Sequence, residues 1–106
     1  MKHFYRISEV EEKRRQSGKR YLEFLRIPVM SAGLYVLPAG GSDPQKPHKE
    51  DELYYVLRGR AHIEVGSEDQ AVATGSLIFV EAGVEHRFHD IEDNLEVLVF
   101  FAPAES

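Results

Sequence analysis

The stretch HKEDELYYVLRG, running from His48 to Gly59, decides how this chain folds. A spacing of four residues puts His48 and Glu52 on one side of either a helix or a strand, so periodicity alone leaves both open. Composition separates them. Tyr54, Tyr55, Val56 and Leu57 run straight into a turn glycine, and a helix begun at Pro47 would have to end in its least helix-favouring residues. The segment therefore reads as a strand, with its candidate ligand near a turn. A second stretch, GSLIFVEAGVEHRFHD from Gly75 to Asp90, has the same character: it opens on glycine, reads as a β-hairpin and carries His86 close to the turn.

Working outward, the rest of the chain after Gly18 consists of short segments rich in Tyr, Phe, Leu, Ile and Val, broken by glycine or proline at the spacing of a β-sandwich or barrel. The expected strands are Arg20 to Ile27, Ala32 to Leu37, Leu53 to Leu57, Ala61 to Val65, Ala71 to Ala73, Ser76 to Val80, His86 to His89 and Leu95 to Ala102. Turns are expected at Arg58–Gly59, Gly66 to Asp69, Gly75, Ala82–Gly83 and Asp90 to Asn94. Ala61, Ile63 and Val65 alternate with Arg60, His62 and Glu64, the pattern of a strand buried on one face. Helix is confined to the N-terminus, where Ser8 and Glu11 form a possible capping box for a helix from about Glu9 to Gln16, stopped by Gly18.

The chain has 106 residues, room for one domain with a core of its own. It has no cysteine, which excludes disulfides, thiolate metal sites and cysteine nucleophiles and leaves nitrogen and oxygen as the only metal donors. No stretch reaches the roughly 18 apolar residues of a membrane span, and the charged start lacks the apolar run of a signal peptide, so a cytoplasmic location is expected. The net charge of −5 is uneven: residues 1–26 hold eight Lys/Arg against four Asp/Glu, and the acidic remainder disfavours nucleic-acid backbones. The basic group Lys13, Arg14, Arg15, Lys19 and Arg20 has no interleaved aromatics to stack on bases and reads as a solvated helix face.

The two quoted stretches resemble the paired motifs of the cupin superfamily, small barrels built as a double-stranded β-helix. The first family motif ends Glu, six residues, glycine, which counts back from Gly59 to Glu52 and then to His48; the preceding motif histidine is Lys46 here. The second maps onto Gly75, Gly83, His86 and Asp90, with Glu81 where proline is usual and Asp90 where asparagine is. The resemblance covers about half the chain. It implies an all-β jelly-roll-like barrel over residues 20–106, with motifs at 41–59 and 75–90 and a helical extension at 1–19, and it suggests a homodimer with contact edges at Leu95 to Ala102 and the N-terminal strand.

His48, Glu52 and His86 are the candidate metal ligands. Two imidazoles and a carboxylate can occupy one face of an ion and leave positions open to water or substrate, the arrangement of catalytic rather than structural sites. Iron, zinc, manganese and nickel all accept these donors. Lys46 is a poor ligand, because discharging its ammonium at neutral pH costs roughly 5 kcal/mol. Gln45 offers a neutral amide oxygen as a possible fourth ligand, with water its competitor. Tyr54, Val56 and Phe88 share strand phase with the ligands, so they are expected to line either the pocket or the core. Tyr54 and His89 are weak candidates for moving protons. His62 is expected to be exposed or at a subunit contact, and Glu50 and Asp51 to be solvated.

Three functions follow as expectations. The first is a metal-dependent enzyme on a small molecule, of dioxygenase, isomerase or lyase type. The second is a non-catalytic module that binds or senses a small ligand or sugar, favoured by the missing first motif histidine. A DNA-binding regulator is weaker, since no room remains for a helix-turn-helix.

Overall fold

The computed structural model covers Met1–Ser106 and contains one helix, α1 (Ile7–Ser17), and eight strands: β1 (Tyr21–Ile27), β2 (Met30–Leu37), β3 (Asp51–Arg58), β4 (Arg60–Val65), β5 (Glu68–Ala73), β6 (Leu77–Val80), β7 (His86–His89) and β8 (Leu95–Ala102). They form two antiparallel sheets, one of five strands in the order β1-β2-β8-β3-β6 and one of three in the order β5-β4-β7. This is the all-β architecture with a short N-terminal helix expected from the sequence. No helix is long and apolar enough to cross a membrane.

The core lies between the sheets and follows strand alternation. β8 sends Leu95, Val97, Val99 and Phe101 inward, β3 sends Glu52, Tyr54 and Val56, and the smaller sheet answers with Ala61, Ile63, Val72 and Phe88. At about 25 cal/mol per Å² of apolar surface removed from water, these side chains are the main force holding the sheets together. β2 is buried on both sides. Tyr35 and Leu37 join the central cluster, while α1 packs over β1 and β2 and buries Val10.

Several boundaries differ from expectation, each for a physical reason. Ser8 lies inside the first turn of α1 and does not cap it; Arg6 is the N-cap and makes no side-chain capping bond. The helix start is set by docking, with Tyr5 packed 5.3 Å from the Phe24 ring. Gly18 ends the helix as expected, at φ 69° with its N–H on the Arg15 carbonyl. β5 begins at Glu68 rather than Ala71, because the β4–β5 hairpin turns on Gly66 and Ser67 alone. Its polar start is that of an exposed edge strand, which composition confuses with a turn. The segment Leu95 to Ala102 is not a contact edge: as β8 it is central, hydrogen-bonded to β2 on one side and β3 on the other. Glu50 is buried and accepts from the Ser106 backbone N–H and hydroxyl, whereas Asp51 is exposed and accepts from Ala82 N–H.

Candidate metal centre

Glu52 enters the interior from β3, and His86 enters from the first residue of β7, so their donors come from opposite sheets. His48 comes from the loop before β3, which is irregular rather than part of a hairpin. Its backbone carbonyl accepts the N–H of Gly83 at 2.7 Å, tying the first ligand stretch to the turn that precedes the second. The His48 ring stands 4.9 Å from that of Phe101 and 5.4 Å from that of His86. His86 Nε2 lies 3.0 Å from Glu52 Oε1, and His48 Nε2 lies 4.0 Å from the same oxygen. The three donors thus share one small volume, and they could hold a metal ion.

Hydrogen bonding fixes which ring nitrogen is free. His86 Nδ1–H donates to the Val84 carbonyl at 2.9 Å, leaving the Nε2 lone pair turned toward Glu52. Nε2 and both Glu52 oxygens are buried without an aligned hydrogen-bond partner. Unpaired buried polar atoms are costly, and a carboxylate more so, so a set of three around one point fits a cation. The His86 pKa reflects the same field: burial opposes its charge, but Glu52 and the Val84 carbonyl outweigh burial and hold it above its ordinary value.

Gln45 is also aimed at this point. Its amide nitrogen donates to Asp43 Oδ2 at 2.9 Å, which turns Oε1 toward His48 Nε2 at 3.0 Å and the Tyr54 hydroxyl at 3.1 Å. Lys46, by contrast, is exposed, on a groove with Glu64, Glu85 and Arg87 that also borders Gln45 and His86. Its ammonium therefore stays in water. Asp43, which the sequence reading missed, is buried and accepts from the Tyr35 hydroxyl, Gln45 and the Phe88 N–H. It ties the ligand loop to both sheets.

His48 and Glu52 open, with Gln45, onto a cavity of about 170 Å³ also lined by Tyr21, Tyr35, Val99, Phe101 and Glu105. Val56 and Phe88 are not among them and belong to the packed core. Tyr54 is also core, with its ring 5.0 Å from that of Phe88, and only its hydroxyl reaches Gln45. Burial lifts the Tyr54 pKa well above normal, which makes it a hydrogen-bond donor rather than a base. His89 turns to the outside of the smaller sheet, as alternation from His86 requires, and so stands away from this cavity. The aromatic wall had no motif to announce it. Nor did Glu105, which reaches His48 Nδ1 at 3.4 Å from the far end of the sequence. Its backbone N–H is held by Ser31 Oγ and its carbonyl by Arg26.

The fold that carries these residues is shared with known proteins. A family model described as "Cupin domain" matches residues 33–102. A protein of Streptomyces coelicolor described as uncharacterised is 52% identical over 102 residues, covering 96% of this chain and 97% of that protein. Among solved structures, TT1209 of Thermus thermophilus matches with a TM-score of 0.69 at 27% identity, over 80% of this chain and 85% of that one. The DMSP lyase DddQ of Ruegeria pomeroyi matches with a TM-score of 0.69 at 21% identity, over 78% of this chain and 47% of that enzyme.

Proposed function

The chain belongs to the cupin domain family, and from that premise we propose that it binds a divalent metal through His48, Glu52 and His86 and acts on a small molecule in the adjoining cavity. One observation carries the reading: two imidazoles and a buried carboxylate converge on one point, with Glu52 Oε1, Oε2 and His86 Nε2 buried and making no aligned hydrogen bond. Gln45 Oε1 is the candidate fourth donor. When bound, the metal would supply a Lewis acid or a binding position for oxygen. Around it, His86 is held in one tautomer by Val84, and Phe101 packs against His48. Tyr21 presents a buried, unpaired hydroxyl to the cavity, and burial keeps that phenol protonated, so the ligand it suits carries a hydrogen-bond acceptor.

The second reading, a module that holds such a ligand without transforming it, is supported by the same wall. Tyr21 and Tyr35 are both held protonated by burial, which removes them as bases. Metal analysis of the purified protein tests what both readings share. About one equivalent of metal is expected at this centre, and His48→Ala, Glu52→Gln and His86→Ala should each strip it. Full metal content in all three variants would overturn the assignment.

A further inference from the structure

Beyond the interior centre, a second donor set stands on the outer face of the three-stranded sheet. His62 of β4 is the direct cross-strand partner of His89 of β7, and it pairs with Ala71 of β5, two residues from Asp69. Ala61, Ile63 and Phe88 point into the core, so alternation sends His62 and His89 outward, and Asp69 follows from the β5 register. Each of three adjacent strands thus contributes one donor to a single patch.

One donor atom from each of the three side chains lies within 4.8 Å of the other two, close enough to share an ion. The Asp69 carboxylate divides between the two rings: Oδ1 lies 3.6 Å from His62 Nδ1 and Oδ2 lies 2.8 Å from His89 Nε2. The imidazole rings are 5.5 Å apart. The 2.8 Å contact is a hydrogen bond, and it and the 3.6 Å contact both lie within about half an ångström of the roughly 3.3 Å between donors bound about 2.0–2.1 Å from a tetrahedral ion. The other nitrogen of His89, Nδ1, lies 3.3 Å from Asp90 Oδ2. A carboxylate behind a ligating imidazole is the recurrent support of such histidines, fixing ring orientation and raising donor strength. Asp90 reaches that position from a left-handed backbone, φ 46°, which aspartate tolerates better than most side chains.

Charge points the same way. No lysine or arginine pairs with Asp69 or Asp90; imidazoles are the ion-pair partners of both, and Asp90 is otherwise exposed to solvent. A borderline divalent cation neutralises two carboxylates and prefers imidazole nitrogen with carboxylate oxygen. We propose that His62, Asp69 and His89, with Asp90 supporting His89, form a second, zinc-class metal site on the outer face of the smaller sheet, distinct from the interior centre. It would clamp the edge strand β5 to β4 and β7 and leave a coordination position facing solvent.

Zinc titration of the metal-free full chain, by calorimetry and by cobalt absorption as a second probe, tests this. The native chain should take up two equivalents of zinc and the His62→Ala, His89→Ala double variant one. Asp69→Asn preserves shape and should weaken the outer site at least about tenfold, and Asp90→Asn by about tenfold through its effect on His89. Circular dichroism on each variant confirms that the sheet is intact. The two sites fail separately. If the outer variants bind zinc as the native chain does, with all uptake lost on His48→Ala and His86→Ala, the outer site is refuted and the interior one stands. If uptake follows only the outer residues, the interior assignment falls instead.

Discussion

Asp43 shows how much of the interior centre depends on one carboxylate that is not a candidate ligand. It accepts three hydrogen bonds, from the Tyr35 hydroxyl and the Phe88 N–H in a buried setting and from the half-buried Gln45 amide. Removing it strands the Phe88 amide inside the protein, which alone costs about 1–3 kcal/mol. Asp43→Ala is expected to lower unfolding free energy in urea by roughly that much and to weaken metal affinity by releasing Gln45. A variant with native stability would show that water takes over the lost bonds. Gly33 makes a sharper steric case, since a Cβ there would run into the Tyr21 ring that lies across it. Gly33→Ala should lower thermal stability and displace Tyr21 from the cavity wall, visible as a loss of near-ultraviolet dichroism. The inward placing of Glu52 and His86 was legible because their spacing from turn glycines carries strand phase, and His48, on an irregular loop, was reached only through the motif it resembles. Asp43 and Glu105 were not legible, because their roles come from contacts across the fold that no local period encodes.

At the scale of elements, the strand pattern was readable where one face is apolar and the other wet, as in β4 and β8. It failed at the start of β5 and at the head of α1, where edge exposure and docking override local propensity. Docking of α1 also carries a titration. Glu11 and Glu96 share a hydrogen bond beside Arg58, which bonds to both. Burial, and then Glu11, push the Glu96 pKa above its ordinary 4.5, while the hydrogen bond from Glu96 and then Arg58 hold Glu11 below its own. The signs are opposite. Glu96 binds its proton more tightly when folded, so its contribution is complete below 4.5 and drains away as pH rises through its raised value. Glu11 contributes above 4.5 and loses that contribution as pH falls through its lowered value. Melting temperature measured from about pH 3 to pH 8 should therefore fall less on the alkaline side for Glu96→Gln than for the native chain. Parallel curves would remove Glu96 as the cause.

For the whole molecule, the interior centre joins the two sheets directly, because Glu52 belongs to one and His86 to the other. A metal held there binds the folded state alone. At a free concentration one hundred times its dissociation constant it adds about 2.7 kcal/mol, and at roughly 4–8 °C per kcal/mol for a chain near this size the melting temperature should rise by about 10–20 °C. Chelator should reverse the shift and Glu52→Gln remove the part owed to the interior centre, as scanning calorimetry would show. An equal shift in the variant would place the stabilising ion elsewhere, with the outer patch the first alternative.

The central position of β8 reaches back to how the chain is made. The strand that bridges β2 to β3 is the last of the eight to emerge during synthesis. Until it clears the ribosome, the β1–β2 hairpin and the β3–β6 pair wait with open edges and exposed apolar faces. The larger sheet can close only after nearly all of these residues have been translated, which makes the nascent chain a natural client for chaperones through most of its synthesis.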